Sequence, residues 1–319
     1  MSAAAFDLLV VGRPSVDLMF SGLPEWPALG KDVWTAGMGV CAGTSFNTPA
    51  AAHRLGLRVG YVSMVGNDVW SGMVRREFAA EDLPTDFLLV VDRPQPFVSV
   101  ALNHEGDRGF VTYGEATQED DAELSQAALD VVGSVSARHL HGYAGEESPE
   151  LVATARARGM TVSLDAWGGP WWDAAAPLEE VVTVADVLFA NEHEALTMTG
   201  EDDVHRALVR LAVLCPCVVI KRGPGGAIGA DAEGTAEVAA EPAEVLDTTG
   251  AGDCFNAAFL VGWLAGLSLM QSLTLGAICG ARAVETFGGY RGCPREDELR
   301  TIAAARGIAL PRTSEGDAR

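Results

Sequence analysis

Lysine is nearly missing from this chain: Lys31 and Lys221 stand alone, and the remaining positive charge is arginine. Across 319 residues, 44 acidic side chains face 22 basic ones, a formal net charge of −22. Such a balance provides no basic footprint for nucleic acid or an anionic membrane surface, so neither is expected as a partner. An anionic substrate has to be held locally, by backbone amides, a few arginines or a metal ion. The six cysteines form no CxxC pair and no zinc-ligand ladder. Free thiols in a chain of this size suit a reducing cytoplasm, and Met1–Gly12 lacks the basic segment that opens a secretory signal. The chain also lacks a Gly-x-x-x-x-Gly-Lys-Ser/Thr string, which excludes a Walker-type phosphate cradle.

One uncharged stretch needs a reading of its own. No charge occurs between Asp253 and Arg282, a gap long enough to suggest a membrane span. Asn256, Ser268, Gln271 and Ser272, interleaved with Gly262, Gly266, Gly276 and Gly280, fit two buried helices joined near Gly266–Met270 instead. The composition, 48% hydrophobic and 21% charged, is that of a globular chain.

Apolar runs of strand length alternate with helical patterns. Leu8–Val11, Val59–Val65, Thr161–Leu164, Val187–Ala190 and Val218–Ile220 read as buried strands. Thr44–Leu55, Val69–Phe78, Pro149–Arg158, Glu192–Met198 and Val204–Leu214 read as the helices between them. The alternation predicts an α/β fold with a mainly parallel sheet, whose site lies beyond the carboxyl ends of the strands. Two pieces break the rhythm. Residues 13–38 and 94–115 carry glycine, proline and aromatics, and Phe97–Leu102 and Gly109–Tyr113 alternate like a hairpin. They predict a small β-sheet lid over a core of residues 1–12, 39–93 and 116–319. A lid would shield a reacting group from water.

The most informative string is Asp247-Thr248-Thr249-Gly250-Ala251-Gly252-Asp253, opening a long apolar helix. A helix start presents unpaired N–H groups and about half a positive charge, which favour an anion. Gly250 and Gly252 let backbone approach a ligand closely, and Asp253 then stands as a base beside a bound phosphate. The plainer alternative is an N-cap behind an ordinary turn. Elsewhere, Asp17 lies just past the first strand, where a carboxylate can grip hydroxyl groups. Ala42-Gly43-Thr44-Ser45-Phe46-Asn47 opens a helix, with Thr44 or Ser45 as candidate caps and Asn47 as a polar residue inside it. Gly223-Pro224-Gly225-Gly226 reads as a hairpin turn rather than a dinucleotide loop. His139 and His141 share one face of a strand, an incomplete metal pair, and Trp167, Trp171 and Trp172 read as packing.

Taken together, the 247–253 string, Asp17, Gly43 with Asn47, Gly66-Asn67-Asp68 and Asn191-Glu192-His193-Glu194 resemble the ribokinase-like (PfkB) carbohydrate kinases, over about Asp7 to Arg300. The resemblance implies a three-layer α/β/α core with a mainly parallel sheet and a β-sheet lid. It implies Asp253 as catalytic base, with Gly250, Ala251 and Gly252 completing an anion hole, and Asp17, Gly43 and Asn47 on the acceptor's hydroxyls. Asn191, Lys221, Gly223, Gly226, Ala277 and Gly280 would lie along ATP. Glu194 would hold Mg2+ through water, and Asp247 a monovalent cation, K+ in the members that potassium activates. Ala42, Phe46 and Ser71 depart from the family pattern, and Asp165-Ala166-Trp167 lacks the Asn and Arg of an Asp-x-Asn-x-Arg string found in several sugar-kinase relatives.

The expected reaction moves the γ-phosphoryl group of ATP to a hydroxyl of a small polyol. A sugar is the first acceptor expected and a nucleoside the second, for which Phe46 could pack against a base. A non-catalytic sugar- or nucleotide-binding relative and a nicotinamide-dependent oxidoreductase are the readings from other classes. The exposed edge of the lid sheet could pair two subunits.

Overall fold

The computed structural model describes residues 5–104, 107–144, 148–166 and 182–311, and the three tryptophans at 167, 171 and 172 lie outside them. Among the described residues, nine strands form the main sheet: β1 (Phe6–Val11), β4 (Val59–Val65), β5 (Leu88–Val90), β8 (Ala137–Tyr143), β9 (Thr161–Asp165), β10 (Val187–Asn191), β11 (Cys217–Lys221), β12 (Ala227–Asp231) and β13 (Gly234–Val238). Their order is β13-β12-β11-β10-β9-β8-β1-β4-β5, parallel from β11 through β5, with β12 and β13 antiparallel at one edge. The central strands are buried on both faces, which is why they read as apolar runs rather than alternating ones.

Helices cover both faces. On one lie α1 (Asn47–Arg54), α2 (Val69–Ala80), α7 (Ala251–Leu264), α8 (Leu269–Ala283) and α9 (Glu296–Ala305). On the other lie α3 (Gln118–Ser134), α4 (Pro149–Ala157), α5 (Glu192–Thr199) and α6 (Val204–Ala212). The uncharged stretch forms α7 and α8, the most extensively packed helix pair among the described residues, and no described helix is long and apolar enough to cross a membrane. Phe259 of α7 meets Phe189 of β10 edge to face, ring centres 5.3 Å apart, which seats α7 on the sheet.

The second sheet has four strands in the order β3-β2-β6-β7: β2 (Pro14–Ser21), β3 (Gly37–Thr44), β6 (Phe97–His104) and β7 (Asp107–Gly114). Strand β3 runs beyond residue 38 to Thr44, so 39–44 belong to this sheet. Its base is tied to the core by carboxylates. Asp120, in the first turn of α3, accepts from Arg93 and Gln95, and Asp68 accepts from the Gln95 backbone N–H at 2.8 Å. Burial alone would raise Asp120's pKa, but these bonds and those from Thr117 hold it well below the usual carboxylate range.

His139 and His141 are buried on β8. Both bond the Ser163 hydroxyl at 2.7 Å, burial lowers both pKa values, and no cluster of three metal-binding side chains occurs among the described residues.

Candidate active site

The carboxyl ends of β9, β10 and β11 bring Asp165, Asn191 and Lys221 to one end of the sheet, where Asn191 and Lys221 are register partners. Helix α7 starts beside them. Gly250 caps it with φ +71°, a left-handed conformation that glycine adopts without strain. A Cβ there would sit 2.6 Å from the Gly289 Cα, and one on Gly289 would sit 2.5 Å from the Asn47 Oδ1. Three elements therefore close on one another with no room for side chains.

Asp253, in the first turn of α7, accepts from Thr48 Oγ1 at 2.9 Å and from Asn47 Nδ2 at 3.3 Å. Burial, then the charge of Asp165, pushes its pKa up to about 6, against the opposing pull of Lys221, Thr48 and Asn47. One helical turn on, Asn256 faces the same way. It donates to Asp165 and accepts from Lys221 Nζ at 3.1 Å, while Lys221 Nζ also donates to Asp165 Oδ2 at 3.1 Å. The ammonium lies 5.9 Å over the Phe189 ring and 3.3 Å from where a Cβ on Gly252 would be. Positive charge is thus fixed against the N–H groups at the mouth of α7.

On the second sheet, Asp17 is buried on β2 and accepts from Ser15 Oγ at 2.6 Å. A Cβ on Gly43 would fall 1.9 Å from Asp17 Oδ2, so only glycine permits this approach. Burial raises Asp17 to about 6, and the nearby Asp247 adds to the shift. Asp247 is buried beneath the turn. Its Oδ1 accepts the Thr249 backbone N–H at 3.0 Å, while its Oδ2 and the Thr249 hydroxyl are buried with no hydrogen-bond partner.

The other expected residues separate into two groups. Asn191 and Glu194 form a reciprocal capping box at the start of α5, with bonds of 2.8 and 2.7 Å, and burial followed by Asp165 raises Glu194 to about 7. Gly226 turns the β11–β12 hairpin with φ +82°, and a Cβ would strike the Val238 carbonyl at 2.0 Å. Gly223 lies in the same turn, Ala277 is buried in the core, and Gly280 packs against the start of α7.

Two sequence readings change. Phe46 is fully buried among Phe78, Tyr61 and Tyr290, so it cannot meet a nucleobase. Helix α1 begins at Asn47 with no side-chain cap: Thr44 ends β3 with φ +51°, and Ser45 Oγ pairs with the Tyr61 hydroxyl at 2.7 Å. Ser71, at a position of family glycine, accepts from the Gly66 backbone N–H and donates to Asp68. Sequence reasoning missed Thr48, Asn256 and the pairing of Asp165 with Lys221. Asn256 carried a signal, an amide three residues after Asp253 in an otherwise apolar helix.

Comparison with known proteins gives the family and the fold. A family model described as pfkB family carbohydrate kinase matches residues 40–296. Fructoselysine 6-kinase of Shigella flexneri is 28% identical over 258 residues, covering 78% of this chain and 91% of that protein. Acarbose 7(IV)-phosphotransferase of Actinoplanes is 30% identical over 284 residues, covering 87% and 91%. Arabidopsis thaliana ribokinase, solved with ribose and ATP, superposes with a TM-score of 0.72 at 23% identity, covering 93% of this chain and 98% of that one.

The raised carboxyls have a consequence for stability. A carboxyl whose folded pKa exceeds its unfolded value contributes stability that is complete below about pH 4 and lost as pH rises through the folded value. For Asp253 the loss runs to about pH 6 and slightly above. Asp253→Asn removes that loss, so its melting temperature should exceed wild type by a few degrees more at pH 8 than at pH 5. Calorimetric melting at the two pH values checks this, and an equal difference at both would contradict the burial of the charge.

Proposed function

The chain belongs to the pfkB family of carbohydrate kinases and is an ATP-dependent sugar kinase; from that premise we propose which of its residues do the work. Asp253 accepts the proton of the acceptor hydroxyl. The hydroxyl oxygen bonds the γ-phosphorus as the bond from that phosphorus to the β,γ-bridging oxygen breaks, and ADP leaves with that electron pair. The N–H groups of residues 250–253, with Lys221 beside Gly252, stabilise the moving phosphoryl group. The observation that carries this reading is the carboxylate of Asp253 at a glycine-started helix mouth, oriented by Asn47 and Thr48.

Asp17 and Asn47 hold the acceptor's hydroxyls over the close-packed Gly43. Asn191, Lys221, Gly223 and Gly226, with Ala277 and Gly280 behind them, line the nucleotide. Asp165 and Asn256 are positioning residues: they aim the Lys221 ammonium and set the charge around Asp253. The second sheet acts as the lid that excludes water.

Two metal ions fit this site. Glu194, a buried carboxylate next to Asn191, suits the water-mediated hold that Mg2+ prefers, and Mg2+ bound to ATP neutralises phosphate charge. The unpartnered Asp247 Oδ2 and Thr249 hydroxyl are oxygen donors that suit K+, whose positive charge would steady the turn before Gly250. The lid also carries exposed apolar side chains, among them Trp34 and Val111 at 87% and 66% exposure, which support pairing of two subunits through it.

Asp253→Asn should lower kcat by about 10²–10⁴-fold while ATP still binds; near-normal acceptor-dependent ATP consumption would overturn the assignment. Wild-type kcat/KM should fall below about pH 6. Because Asp165 raises that value, Asp165→Asn should move the acid limb to lower pH. Replacing K+ by Na+ should slow wild type, and Thr249→Val should abolish the difference; identical rates in both salts would remove K+ from the site. Light scattering should return twice the 33.4 kDa chain mass, and a monomer would exclude the lid pairing.

A further inference from the structure

Two adjacent glycines, Gly288 and Gly289, lie in the loop after α8 with φ +107° and +54°, and lead into the 3-10 turn Gly289–Gly292. Paired glycines are the freest backbone a chain offers, so nothing local fixes where this segment lies. Its position matters to the site, because Gly289 lies against both Gly250 and Asn47. The restraint has to come from outside the segment.

Three helices supply it. At the end of α8, a Cβ on Gly292 would meet the Arg282 carbonyl at 2.4 Å, so the turn sits tight against that helix. From α2, Glu77 accepts from the buried Tyr290 hydroxyl, and from Arg291 Nη2 at 2.6 Å. From the last turn of α1 comes Arg54. It donates from Nη2 to the Arg291 carbonyl at 3.0 Å and from Nε to the Cys293 carbonyl at 2.9 Å. Its Nη1 donates to both oxygens of Glu81, the residue that ends α2, at 2.9 and 3.0 Å. A planar guanidinium fixes direction as well as distance, and here its three nitrogens meet two backbone carbonyls and one buried carboxylate.

Helix α1 carries this restraint to the reacting end. Asn47 and Arg54 are seven residues apart, two helical turns, and so share one face of α1. The first lies against Gly289 and donates to Asp253, and the second holds the carbonyls two and four residues beyond Gly289. Both ends of one short helix therefore grip the same segment. An ion pair that merely docked α1 on α2 would need the charge of Arg54 and nothing more. The two carbonyl bonds go beyond that need, and Arg295 Nη2, 3.5 Å from Glu81, already gives the carboxylate a second cation.

Resting on the kinase reading above, we infer that Arg54 is a positioning residue for phosphoryl transfer: through the carbonyls of Arg291 and Cys293 it seats Gly289 against Gly250 and Asn47, and so keeps the mouth of α7 and Asp253 in register. It acts on the geometry of the transfer, and the nucleotide-facing Asn191 and Lys221 stand on other elements.

Arg54→Lys separates this role from ion pairing, because lysine keeps a cation beside Glu81 but cannot span two carbonyls and a carboxylate at once. ATP consumption by the full chain is followed with D-ribose, D-fructose, fructoselysine and inosine as acceptors. The variant should show kcat lowered about 10–100-fold, with KM for ATP unchanged and melting within a few degrees of wild type. Its hydrogen exchange should quicken at residues 247–253 and 289–293 and stay as in wild type along β8, β9 and β10. Glu81→Gln is the control: its amide oxygen still accepts from Arg54, so the ion pair is lost while the carbonyls stay held, and kcat should match wild type even where melting comes earlier. Wild-type kcat in Arg54→Lys, unchanged exchange at 247–253, or an equal loss of kcat in both variants overturns the inference and leaves the kinase reading intact. Absence of wild-type turnover with all four acceptors overturns the kinase reading, and the exchange at 247–253 then decides the seating of Gly289 by itself.

Discussion

The cleft is organised around a single buried ion pair, Lys221 with Asp165, bridged on its third side by Asn256. Neither charge could sit at the end of the sheet alone, because removing one partner would leave the other desolvated at a cost of about 3–5 kcal/mol. The pair fixes the ammonium beside the Gly252 backbone, and it gives Asp253 and Glu194 a negative neighbour in Asp165 and a positive one in Lys221. Two carboxyls are thereby held between their ordinary values and neutrality, near enough to titrate under ordinary conditions. The scarcity of lysine sharpens the point: of the chain's two, one is a surface residue and the other carries the fixed positive charge of the cleft.

Much of the fold was legible because its elements are locally consistent. The central strands are continuous apolar runs, buried on both faces, and the helices between them carry caps or turns that mark their ends. The helix pair within the uncharged stretch was legible from its interspersed amides and glycines. Boundaries were less so. Helix α1 starts later than its polar residues suggest, because Thr44 and Ser45 spend their hydroxyls on Ser15 and Tyr61 rather than on helix N–H groups. Phe46 looked free for a ligand only because sequence carries no sign of the distant Tyr290 and Phe78 that enclose it.

The candidate site divides in the same way. Asp253 and its glycines stand in one contiguous string, and contiguity is what a sequence displays. Asp165, Lys221 and Asn256 come from two strands and a helix, and only the parallel register of β9, β10 and β11 joins them. For Asn191 and Glu194 the helix-cap reading and the proposed role at the metal-nucleotide end coincide. Their capping box satisfies the start of α5, and the same bonds hold a buried carboxylate in a fixed orientation beside the cleft.

Gly250, Gly289 and Asn47 interlock without spare volume, and this couples parts of the chain that are far apart in sequence. A side chain at Gly250 would displace Gly289, and one at Gly289 would displace Asn47 at the start of α1. Mutational drift is therefore confined: this corner can be inherited only as a block.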